Sequence, residues 1–521
     1  MQQMKETVRK ARRGAARAIY GRTAILVVLI LLQVLLLVGL FSWLSAYLAY
    51  FYTLAVGISI LVTLNIVSGD GSPSFKISWL IFIMAVPILG ICFYLFLQNQ
   101  AGTYVIREKL RVTLKETAPY LKQDYYTREE MRERSPRMDG VSSYAYKCGG
   151  YPTYRHSPAI YYPTGEEKFA AMLEALETAR EFIFLEYFIV DEGIMWDTML
   201  EVLARKVKEG VEVRFMYDGM NQLARLPVDY PKHMKALGID CRVFMKPRPL
   251  LSTIQNNRDH RKILVIDGRT AFTGGINLAD EYINKRPRFG YWKDTGVRIE
   301  GEAVNSFTIM FLQMWNVAGN TPQSYERYIR HDATHAGQNH GYIIPYGDSP
   351  FDNENVGEMI YLDILGRAEN YVYIFTPYLI LDREMTVALC FAAKRGVDVR
   401  LVLPHIPDKK YAYELARTHY KELLAAGIKI YEYRPGFVHA KVFVSDDVCC
   451  TVGTINLDFR SLYLNYECGV YFHDAPIVAD VRGDLEQTMR RCLQITAQEH
   501  AKYPLTRRLI GKFLRLAAPL M

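Results

Sequence analysis

The chain begins with long apolar runs and then changes to alternating apolar strands and amphipathic helices. Residues 24–67 contain no charged side chain, and a second apolar run covers residues 77–97. About 20 apolar residues are enough for one helical membrane span. The region 24–97 is therefore predicted to hold two or three transmembrane helices. A cleaved signal peptide is the alternative, and the length of the first run argues against it.

The charges that flank these runs bear on the orientation in a membrane. Residues 1–23 carry seven Lys or Arg side chains against one Glu, so this basic N-terminus is expected to stay in the cytoplasm. The segment after residue 97 is also basic, which favours a cytoplasmic location for the soluble part of the chain. Three full spans would instead place the two basic segments on opposite sides, so the number of spans stays open. We expect a multi-pass protein of the cell membrane.

Residues 98–150 are polar and charged, and they are predicted to form a surface tether. Beyond them, the apolar pattern alternates between strands and helices. Thr164 and Glu167 fit the N-cap and N3 positions of a capping box, which predicts that a helix begins here. The apolar run 182–190 predicts a buried strand, and residues 195–209 a helix. This alternation is typical of α/β layers.

The same order of elements occurs twice in the soluble part. Residues 371–380 correspond to residues 182–190, and residues 394–402 correspond to residues 208–216. Such an internal repeat is typical of two copies of one folding unit. We therefore predict two tandem α/β/α sandwich domains related by a pseudo-twofold axis, with their functional residues meeting between them.

A linker rich in Gly, Asn, His and Pro separates the two copies. The first domain is predicted at residues 151–318, the linker at 319–350 and the second domain at 351–500. Residues 501–521 form a basic, amphipathic C-terminal tail. This composition is compatible with a helix on an anionic membrane surface and with a packed terminal helix.

Each half carries one copy of a polar motif on an apolar run: His-x-Lys-x4-Asp, followed by a glycine turn and Asn. The first copy is His260, Lys262, Asp267 and Asn277, and the second is His439, Lys441, Asp446 and Asn456. Residues i and i+2 of a strand share a face, so each His is predicted to project beside its Lys. Each Asp belongs to the catalytic signature, but its odd offset from the His predicts that it faces the other way and closes the strand end.

Two His, two Lys and two Asn side chains form a site suited to an anion, because Lys is a natural phosphate binder. One imidazole can attack phosphorus and form a covalent phospho-histidine, while the other protonates the leaving oxygen. The predicted phosphate-binding residues are Lys262, Asn277, Lys441 and Asn456. Glu467 and Asp294 follow the motifs and are the candidates for orienting the histidine rings.

Composition narrows the classes of partner and cofactor. The net charge of +8 suits an anionic partner, either phospholipid or nucleic acid. No aromatic and basic stacking tract stands out, so no nucleic acid is expected. The eight cysteines form no CxxC pair, and His331, His335 and His340 in the linker match no zinc pattern. We expect reduced, buried thiols, no metal and no other cofactor.

At these residues the chain resembles the phospholipase D superfamily, whose signature is His-x-Lys-x4-Asp twice. The more specific resemblance is to bacterial cardiolipin synthases, and it covers nearly the whole chain, from the apolar N-terminus to residues 515–520. It implies transfer of a phosphatidyl group from one phosphatidylglycerol to another, giving cardiolipin and glycerol. It also implies that His260 is the nucleophile, that His439 is the general acid and base, and that the partners are phosphatidylglycerol and anionic membrane lipid.

Three positions depart from the pattern of this family, and none lies in the signature. Thr454 stands where Ser is usual, Gly296 where His is frequent, and His405 where Gly is common. Membership of the superfamily alone leaves other functions open. These are a phospholipase D-type hydrolase, another phosphatidyltransferase such as a phosphatidylserine synthase, a nuclease, and a non-enzymatic membrane scaffold. The two intact motifs argue against a scaffold, and the oligomeric state stays open.

Overall fold

A computed structural model describes residues 31–40, 42, 48–69, 72–98, 101–247, 256–319, 324–331, 341–352 and 354–520. The predicted basic segment 1–23 lies outside these residues. Parts of the predicted transmembrane region and of the predicted linker also lie outside them, including His335 and His340.

Most of the strands fall into two large sheets, one in each half of the chain. In chain order the described strands are β1 (Tyr154–Arg155), β2 (Ala159–Tyr162), β3 (Phe182–Tyr187), β4 (Glu212–Asp218), β5 (Asp240–Phe244), β6 (Lys262–Ile266), β7 (Thr270–Gly274), β8 (Tyr291–Lys293), β9 (Gly296–Glu300), β10 (Tyr342–Asp348), β11 (Tyr371–Phe375), β12 (Leu379–Ile380), β13 (Asp398–Pro404), β14 (Lys429–Tyr433), β15 (Gly436–Val438), β16 (Val442–Ser445), β17 (Cys449–Gly453), β18 (Leu457–Asp458), β19 (Glu467–His473) and β20 (Cys492–Ile495). The first sheet has the order β2-β9-β7-β6-β3-β4-β5, and the second has the order β1-β10-β19-β17-β16-β11-β13-β14-β20.

Six strands of each sheet follow one common order. The series β9-β7-β6-β3-β4-β5 in the first sheet matches β19-β17-β16-β11-β13-β14 in the second. In both, the central strand, β3 or β11, runs parallel to its neighbour on one side and antiparallel to its neighbour on the other. The predicted tandem α/β fold is thereby confirmed. β1 lies at the edge of the second sheet, although the predicted boundary assigns it to the first domain.

Helices pack against both sheets. In chain order the described helices are α1 (Leu48–Ser68), α2 (Pro73–Ala85), α3 (Pro87–Gln98), α4 (Ala101–Thr117), α5 (Tyr125–Arg134), α6 (Pro136–Gly149), α7 (Gly165–Glu177), α8 (Ile194–Lys208), α9 (Asn221–Ala224), α10 (Tyr230–Ala236), α11 (Val304–Ala318), α12 (Val356–Arg367), α13 (Arg383–Lys394), α14 (Lys410–Ala425), α15 (Ile477–Met489), α16 (Ala497–Ala501) and α17 (Leu505–Ala517). The helix predicted from the Thr164 cap is α7, and the Thr164 hydroxyl accepts a hydrogen bond from the Glu167 amide. α11 contacts β3 and β6 of one sheet and β10 of the other, so it lies between the halves.

Residues 98–150 differ from the predicted surface tether. Residues 101–149 contain α4, α5 and α6, and the buried side chains of Leu110, Met131 and Val141 belong to the main hydrophobic core. The tether prediction is therefore wrong. Apolar residues are sparse among the charges of this segment, and a sparse pattern does not reveal that those few side chains are the buried ones.

The N-terminal helices α1, α2 and α3 pack on one another through Ile66, Ile83, Ile91 and Tyr94. Within the described part of the chain, we find no helix that combines the length and the apolar character needed to cross a bilayer. Residues 24–30 and 43–47 lie outside that part. The two or three membrane spans stay a prediction.

The eight cysteines are all unpaired thiols, but they are not all buried. Cys92 in α3 and Cys148 in α6 are exposed, which corrects the expectation of uniformly buried thiols. Spacing along the chain excludes a CxxC pair, but it does not fix which face of a helix a cysteine occupies.

Candidate active site

The two motif histidines lie just ahead of β6 and β16, whereas the motif pattern predicts that they lie within strands. The backbone N–H of His260 donates to the carbonyl of Tyr466 at 2.9 Å. The N–H of His439 donates to the carbonyl of Lys293 at 2.7 Å. Both partners belong to the opposite half of the chain. The backbone amide of each histidine is therefore satisfied, although it takes no part in the hydrogen bonding of its own sheet.

The two acidic candidates contact the histidines crosswise. Nδ1 of His260 lies 2.9 and 2.8 Å from the two carboxylate oxygens of Glu467. Nδ1 of His439 lies 2.6 Å from Oδ2 of Asp294. Each histidine therefore takes its acid from the other half of the chain. When Nδ1–H donates to a carboxylate, the neutral ring keeps its reactive lone pair on Nε2.

The main chain explains this crossing. β8 and β15 pair in parallel, with Lys293 opposite Val438 at their ends. Asp294 and His439 follow directly after these two residues and therefore lie side by side. A parallel bridge between the preceding residues brings His260 beside Glu467 in the same way. The register between the halves thus determines which acid meets which histidine.

The two carboxylates have different surroundings. Glu467 accepts hydrogen bonds from the Thr454 hydroxyl and from Nδ2 of Asn465, the latter at 3.2 Å. Burial raises the pKa of Glu467 to about 7. Gly275 stands at the place of Thr454 in the first half, and a Cβ added there would lie 2.0 Å from Oδ1 of Asp294. Glycine is required at this turn to admit the carboxylate, whereas Thr454 keeps the hydroxyl of the usual serine and binds its acid.

Both motif lysines are buried beside the histidines. Nζ of Lys262 donates to the carbonyl of His260 at 2.5 Å, and Nζ of Lys441 donates to that of His439. Burial lowers the pKa of Lys262 to about 8 and that of Lys441 to about 7. A bound anion would stabilise the charged form of both lysines, so the pair suits a phosphate group.

The charges around the two histidines are unequal. Burial lowers the pKa of His260 well below its usual range, and the charges of Lys262 and Lys441 lower it further. Burial, Lys441 and Lys262 also lower the pKa of His439, to about 4, but the Asp294 carboxylate opposes this shift. Burial alone would raise the pKa of Asp294, yet the charge and hydrogen bond of His439 hold it below its usual range. His439 therefore has the stronger electrostatic support for taking up a proton.

The two motif asparagines line the same cavity as the histidines. Oδ1 of Asn277 accepts a hydrogen bond from the Ile189 amide at 2.9 Å, and its Nδ2 donates to the Tyr282 hydroxyl at 2.8 Å. Nδ2 of Asn456 donates to the Ser461 hydroxyl at 3.1 Å. One hydrogen on each Nδ2 can still serve a ligand.

The motif aspartates lie at the ends of β6 and β16 that are remote from the histidines. The carboxylate of Asp267 accepts hydrogen bonds from the amides of residues 180–182, each at 2.8 Å. Asp446 does the same for residues 369–371 at 2.7 to 2.9 Å. The aspartates thus anchor the turns that lead into β3 and β11, and neither is among the described residues that line the cavity.

Both histidines open onto one cavity of about 590 Å³. The ring of Phe188 meets His260 edge-on with centroids 5.0 Å apart, and Tyr282 meets His439 in the same way at 5.5 Å. These aromatic contacts restrict the imidazoles and form apolar walls. A cavity of this size is typical of a small-molecule site, and charged side chains of both signs also line it.

The sequence reasoning missed Lys168 of α7. This side chain is fully buried, its Nζ has no hydrogen-bond partner in the described part of the chain, and burial lowers its pKa to about 7. A Cβ added to Gly296 would lie 2.4 Å from Cδ of Lys168. Lys168 therefore occupies the space that a side chain at position 296 would need. His405, another departure from the family pattern, bonds Glu432 at 2.9 Å.

Two stretches of the chain, residues 172–315 and 361–489, match the family described as cardiolipin synthase, PLD-like domain. Residues 57–99 match the family described as phospholipase D-nuclease N-terminal. A cardiolipin synthase of Geobacillus kaustophilus is 32% identical over 515 residues, which cover 96% of this chain and 99% of that protein. The chain belongs to the cardiolipin synthase family. The family resemblance inferred from the paired motifs is thereby confirmed.

Two further proteins resemble this member of the cardiolipin synthase family. An uncharacterized protein of Streptococcus mutans is 47% identical over 445 residues, which cover 85% of this chain and 96% of that protein. The solved structure of a phosphatidylserine synthase from Haemophilus influenzae superposes with a TM-score of 0.55 at 15% identity, covering 74% of this chain and 98% of that one. At so low an identity, the second likeness concerns the fold alone.

Proposed function

We propose that this protein is a cardiolipin synthase, a phosphatidyltransferase that joins two phosphatidylglycerol molecules into cardiolipin and releases glycerol. One observation carries the proposal: two histidines, each bonded to a carboxylate of the opposite half, open onto a single cavity. Membership of the cardiolipin synthase family supports the substrate class. A scaffold requires neither the paired histidines nor the buried lysines.

The first half-reaction forms a covalent phosphatidyl-histidine. Nε2 of His260 attacks the phosphorus of the donor phosphatidylglycerol, and a P–N bond forms. The P–O bond to the terminal glycerol breaks, and protonated His439 gives its proton to the departing oxygen. Glycerol leaves, and His439 is then neutral.

The second half-reaction transfers the phosphatidyl group to the acceptor. A hydroxyl of a second phosphatidylglycerol takes the place of glycerol, and His439 removes its proton as the oxygen attacks phosphorus. The P–N bond breaks and its electron pair returns to His260. Cardiolipin is released, and His439 carries the proton for the next cycle.

The unequal charges support this division of roles. A nucleophile must be neutral, and burial together with the motif lysines holds the pKa of His260 well below its usual range. Asp294 opposes the same shift at His439, and a bound phosphate raises the pKa further by offsetting the positive charge of the lysines. His439 is therefore the better proton donor, in agreement with the role that the family resemblance implies.

The remaining motif residues bind the phosphate in this proposal. Lys262 and Lys441 stabilise the negative charge on the phosphate oxygens in the transition state, where buried donors act most strongly. Asn277 and Asn456 add N–H donors from the cavity wall.

Purified protein in micelles of phosphatidylglycerol alone is expected to form cardiolipin and glycerol in equal amounts, without added nucleotide or metal. Thin-layer chromatography of labelled lipid and an enzymatic glycerol assay measure the two products. A His260→Gln protein prepared in the same way serves as the control for contaminating activity. Phosphatidic acid as the main product would overturn the synthase proposal in favour of a hydrolase.

The same proposal places the cavity at the surface of the cell membrane in a multi-pass protein with a cytoplasmic catalytic part. α17 has a face of apolar side chains that are about half exposed or more, namely Leu505, Leu509, Ile510, Phe513 and Leu516. Exposed basic side chains, Lys512 and Arg515, flank this face. A helix of this kind suits the interface of an anionic bilayer.

Contacts with the N-terminal helices support this placement. The Ser78 hydroxyl of α2 donates to the carbonyl of Leu516 at 2.8 Å, so α2 and α17 adjoin. The ring of Phe75 meets Phe459 edge-on with centroids 5.8 Å apart, and Phe459 lines the cavity. Helix α2 thus contacts both α17 and a residue that lines the cavity, which supports a route for the acyl chains of a bound lipid between the cavity and the bilayer.

A tryptophan placed on the apolar face of α17 is expected to contact lipid. In bilayers of phosphatidylglycerol with brominated acyl chains, Phe513→Trp should add fluorescence that the bromines quench. Phe391→Trp is the matched control, because Phe391 is also an exposed phenylalanine but lies on α13. Equal quenching of the two added tryptophans, or none at position 513, would contradict the placement of α17.

A further inference from the structure

We propose that Arg258, Lys409 and Arg460 form a second phosphate subsite, which binds the phosphodiester of the acceptor phosphatidylglycerol. All three residues line the cavity that contains the two histidines. The inference rests on the proposed function, because only a lipid acceptor carries this second phosphate. Glycerol, water and other neutral alcohols react with the same intermediate but have no anion to place there.

The two-substrate reaction requires two anion sites in one cavity. The donor phosphate occupies the centre between the histidines, where Lys262 and Lys441 lie. The acceptor is itself an anion, and its phosphate is joined to the attacking hydroxyl through a short glycerol chain. Without its own counter-charge, the acceptor phosphate would be repelled by the donor phosphate in a partly dry cavity.

Arg258 is the most deeply placed member of the proposed subsite. It is buried, and its Nη1 has no hydrogen-bond partner within the described residues. Nη1 forms an ion pair with the Asp218 carboxylate at 3.6 Å, a distance longer than a hydrogen bond. Both oxygens of Asp218 instead accept backbone amides, from Met220 at 2.8 Å and from Asp259 at 3.1 Å. A buried guanidinium with an unused donor suits an anionic ligand oxygen.

Lys409 supplies a charge at the more open part of the cavity. Its side chain is exposed, and Nζ lies 5.0 Å from the centroid of the Tyr378 ring. The neighbouring carboxylate of Asp408 accepts the Tyr378 hydroxyl at 2.6 Å. Stacking over the ring directs the ammonium along the cavity wall, where it can reach a ligand oxygen.

Arg460 has a fixed guanidinium. Its Nη1 and Nη2 donate to the backbone carbonyl and the side-chain oxygen of Asn256, each at 2.7 Å. The charges of Lys409 and Arg460 contribute to lowering the pKa of His260, after burial and the two motif lysines. Both side chains also line the same cavity as His260, so they are placed to contact a lipid that reacts there.

The two cations on the opposite wall of the cavity share one carboxylate. Arg225 and Arg288 also line the cavity, but Glu281 lies 3.5 and 3.2 Å from their guanidinium groups. Arg225 has a second ion pair with Asp191 at 3.1 Å. On the wall with Arg258, Lys409 and Arg460, the nearby carboxylates of Asp218, Asp408 and Asp458 accept hydrogen bonds from backbone amides or from the Tyr378 hydroxyl. The geometry therefore assigns the acceptor phosphate to this wall.

The test compares an anionic with a neutral acceptor on the same intermediate. The full-length protein receives phosphatidylglycerol together with labelled free glycerol, and both cardiolipin and label incorporated into phosphatidylglycerol are measured. For Lys409→Gln, we expect the ratio of cardiolipin to exchanged glycerol to fall about tenfold, since a charge-assisted contact to the acceptor is lost. Lys409→Glu should lower the ratio further. Because Lys409 is exposed, neither change should prevent folding.

Lys410→Gln is the matched control, because Lys410 is the exposed neighbour of Lys409 and does not line the cavity. Its ratio should equal that of the wild type. The subsite is refuted if Lys409→Gln lowers both products equally, which would indicate a donor contact, or leaves the ratio unchanged. A wild-type protein that exchanges glycerol but makes no cardiolipin would instead refute the proposed function, so the two failures are distinguishable.

Discussion

Replacing His260 with glutamine is expected to abolish the phosphatidyl-enzyme and to lower cardiolipin formation by about 10⁴-fold or more, because the nucleophile is removed. Glutamine retains polarity and much of the volume of histidine, but it has no lone pair that attacks phosphorus. The side chain lies against Phe188 and Glu467, and a polar replacement of similar size should disturb these contacts little. The loss should therefore appear in the chemical step and not in folding.

The adduct is measured directly by quenching the enzyme during turnover of phosphatidylglycerol labelled in the phosphate. A phospho-histidine linkage resists alkali and is cleaved by acid, which distinguishes it from a serine or carboxylate ester. His405→Gln is the control for loss of a histidine elsewhere, since His405 is half exposed and bonds Glu432. Labelling that persists in His260→Gln and disappears in His439→Gln would reverse the two roles.

The motif spacing predicts which residues form the site, but it does not predict how they are paired. The repeat of His, Lys, Asp and Asn indicated two halves and one shared anion site, and the structure brings His260 and His439 to one cavity. The candidates Glu467 and Asp294 were also identified by their positions downstream of the motifs. Their crossed pairing was not predictable, because it depends on the register of β8 with β15 and of the segment before β6 with the opposite half. That register involves residues distant in sequence.

Errors in the sequence-based predictions have a common physical origin. The His-x-Lys spacing predicts strand positions for both histidines, but their amides bond the other half of the chain. The tether prediction failed because α4, α5 and α6 bury only a few side chains each into the main core. Lys168 carried no signal at all, since a lysine on an amphipathic helix is normally exposed. In each case the contact that determines the structure joins residues far apart in the sequence, so the local sequence pattern does not predict it.

The wall of the proposed acceptor subsite was likewise absent from the sequence reasoning. The three cations come from separate segments of the chain: Arg258, Lys409 and Arg460. They converge because the segment that contains Arg258 runs alongside the second half, where Asp259 bridges Tyr466 just before β19. Their charges resemble ordinary surface charges in the sequence. Arg258 differs from an ordinary surface arginine because its Nη1 has no hydrogen-bond partner within the described residues. The neighbouring Asp218 carboxylate already accepts a hydrogen bond from the Met220 amide.

Replacing His439 with glutamine is expected to separate the two half-reactions. With phosphatidylglycerol, both steps should slow by about 10²- to 10⁴-fold, because the leaving glycerol is not protonated and the acceptor hydroxyl is not deprotonated. With phosphatidyl-p-nitrophenol the leaving group departs without a proton, so His260 can still form the adduct. The mutant should release a burst of one nitrophenolate per enzyme and then almost stop.

The burst identifies the nucleophile, because it requires only the histidine that forms the adduct. The motif treats the two histidines alike, but their surroundings differ. Asp294 contacts His439 at 2.6 Å and supports its proton, whereas burial and the nearby lysines hold the pKa of His260 well below its usual range. His260→Gln should therefore give neither burst nor turnover with the activated lipid, and the two mutants form a matched pair. Wild-type turnover of this lipid by His439→Gln would show that another group activates the acceptor. If the burst appeared in His260→Gln alone, the crossed acid pairs would remain, but the nucleophile would be the histidine that Asp294 orients.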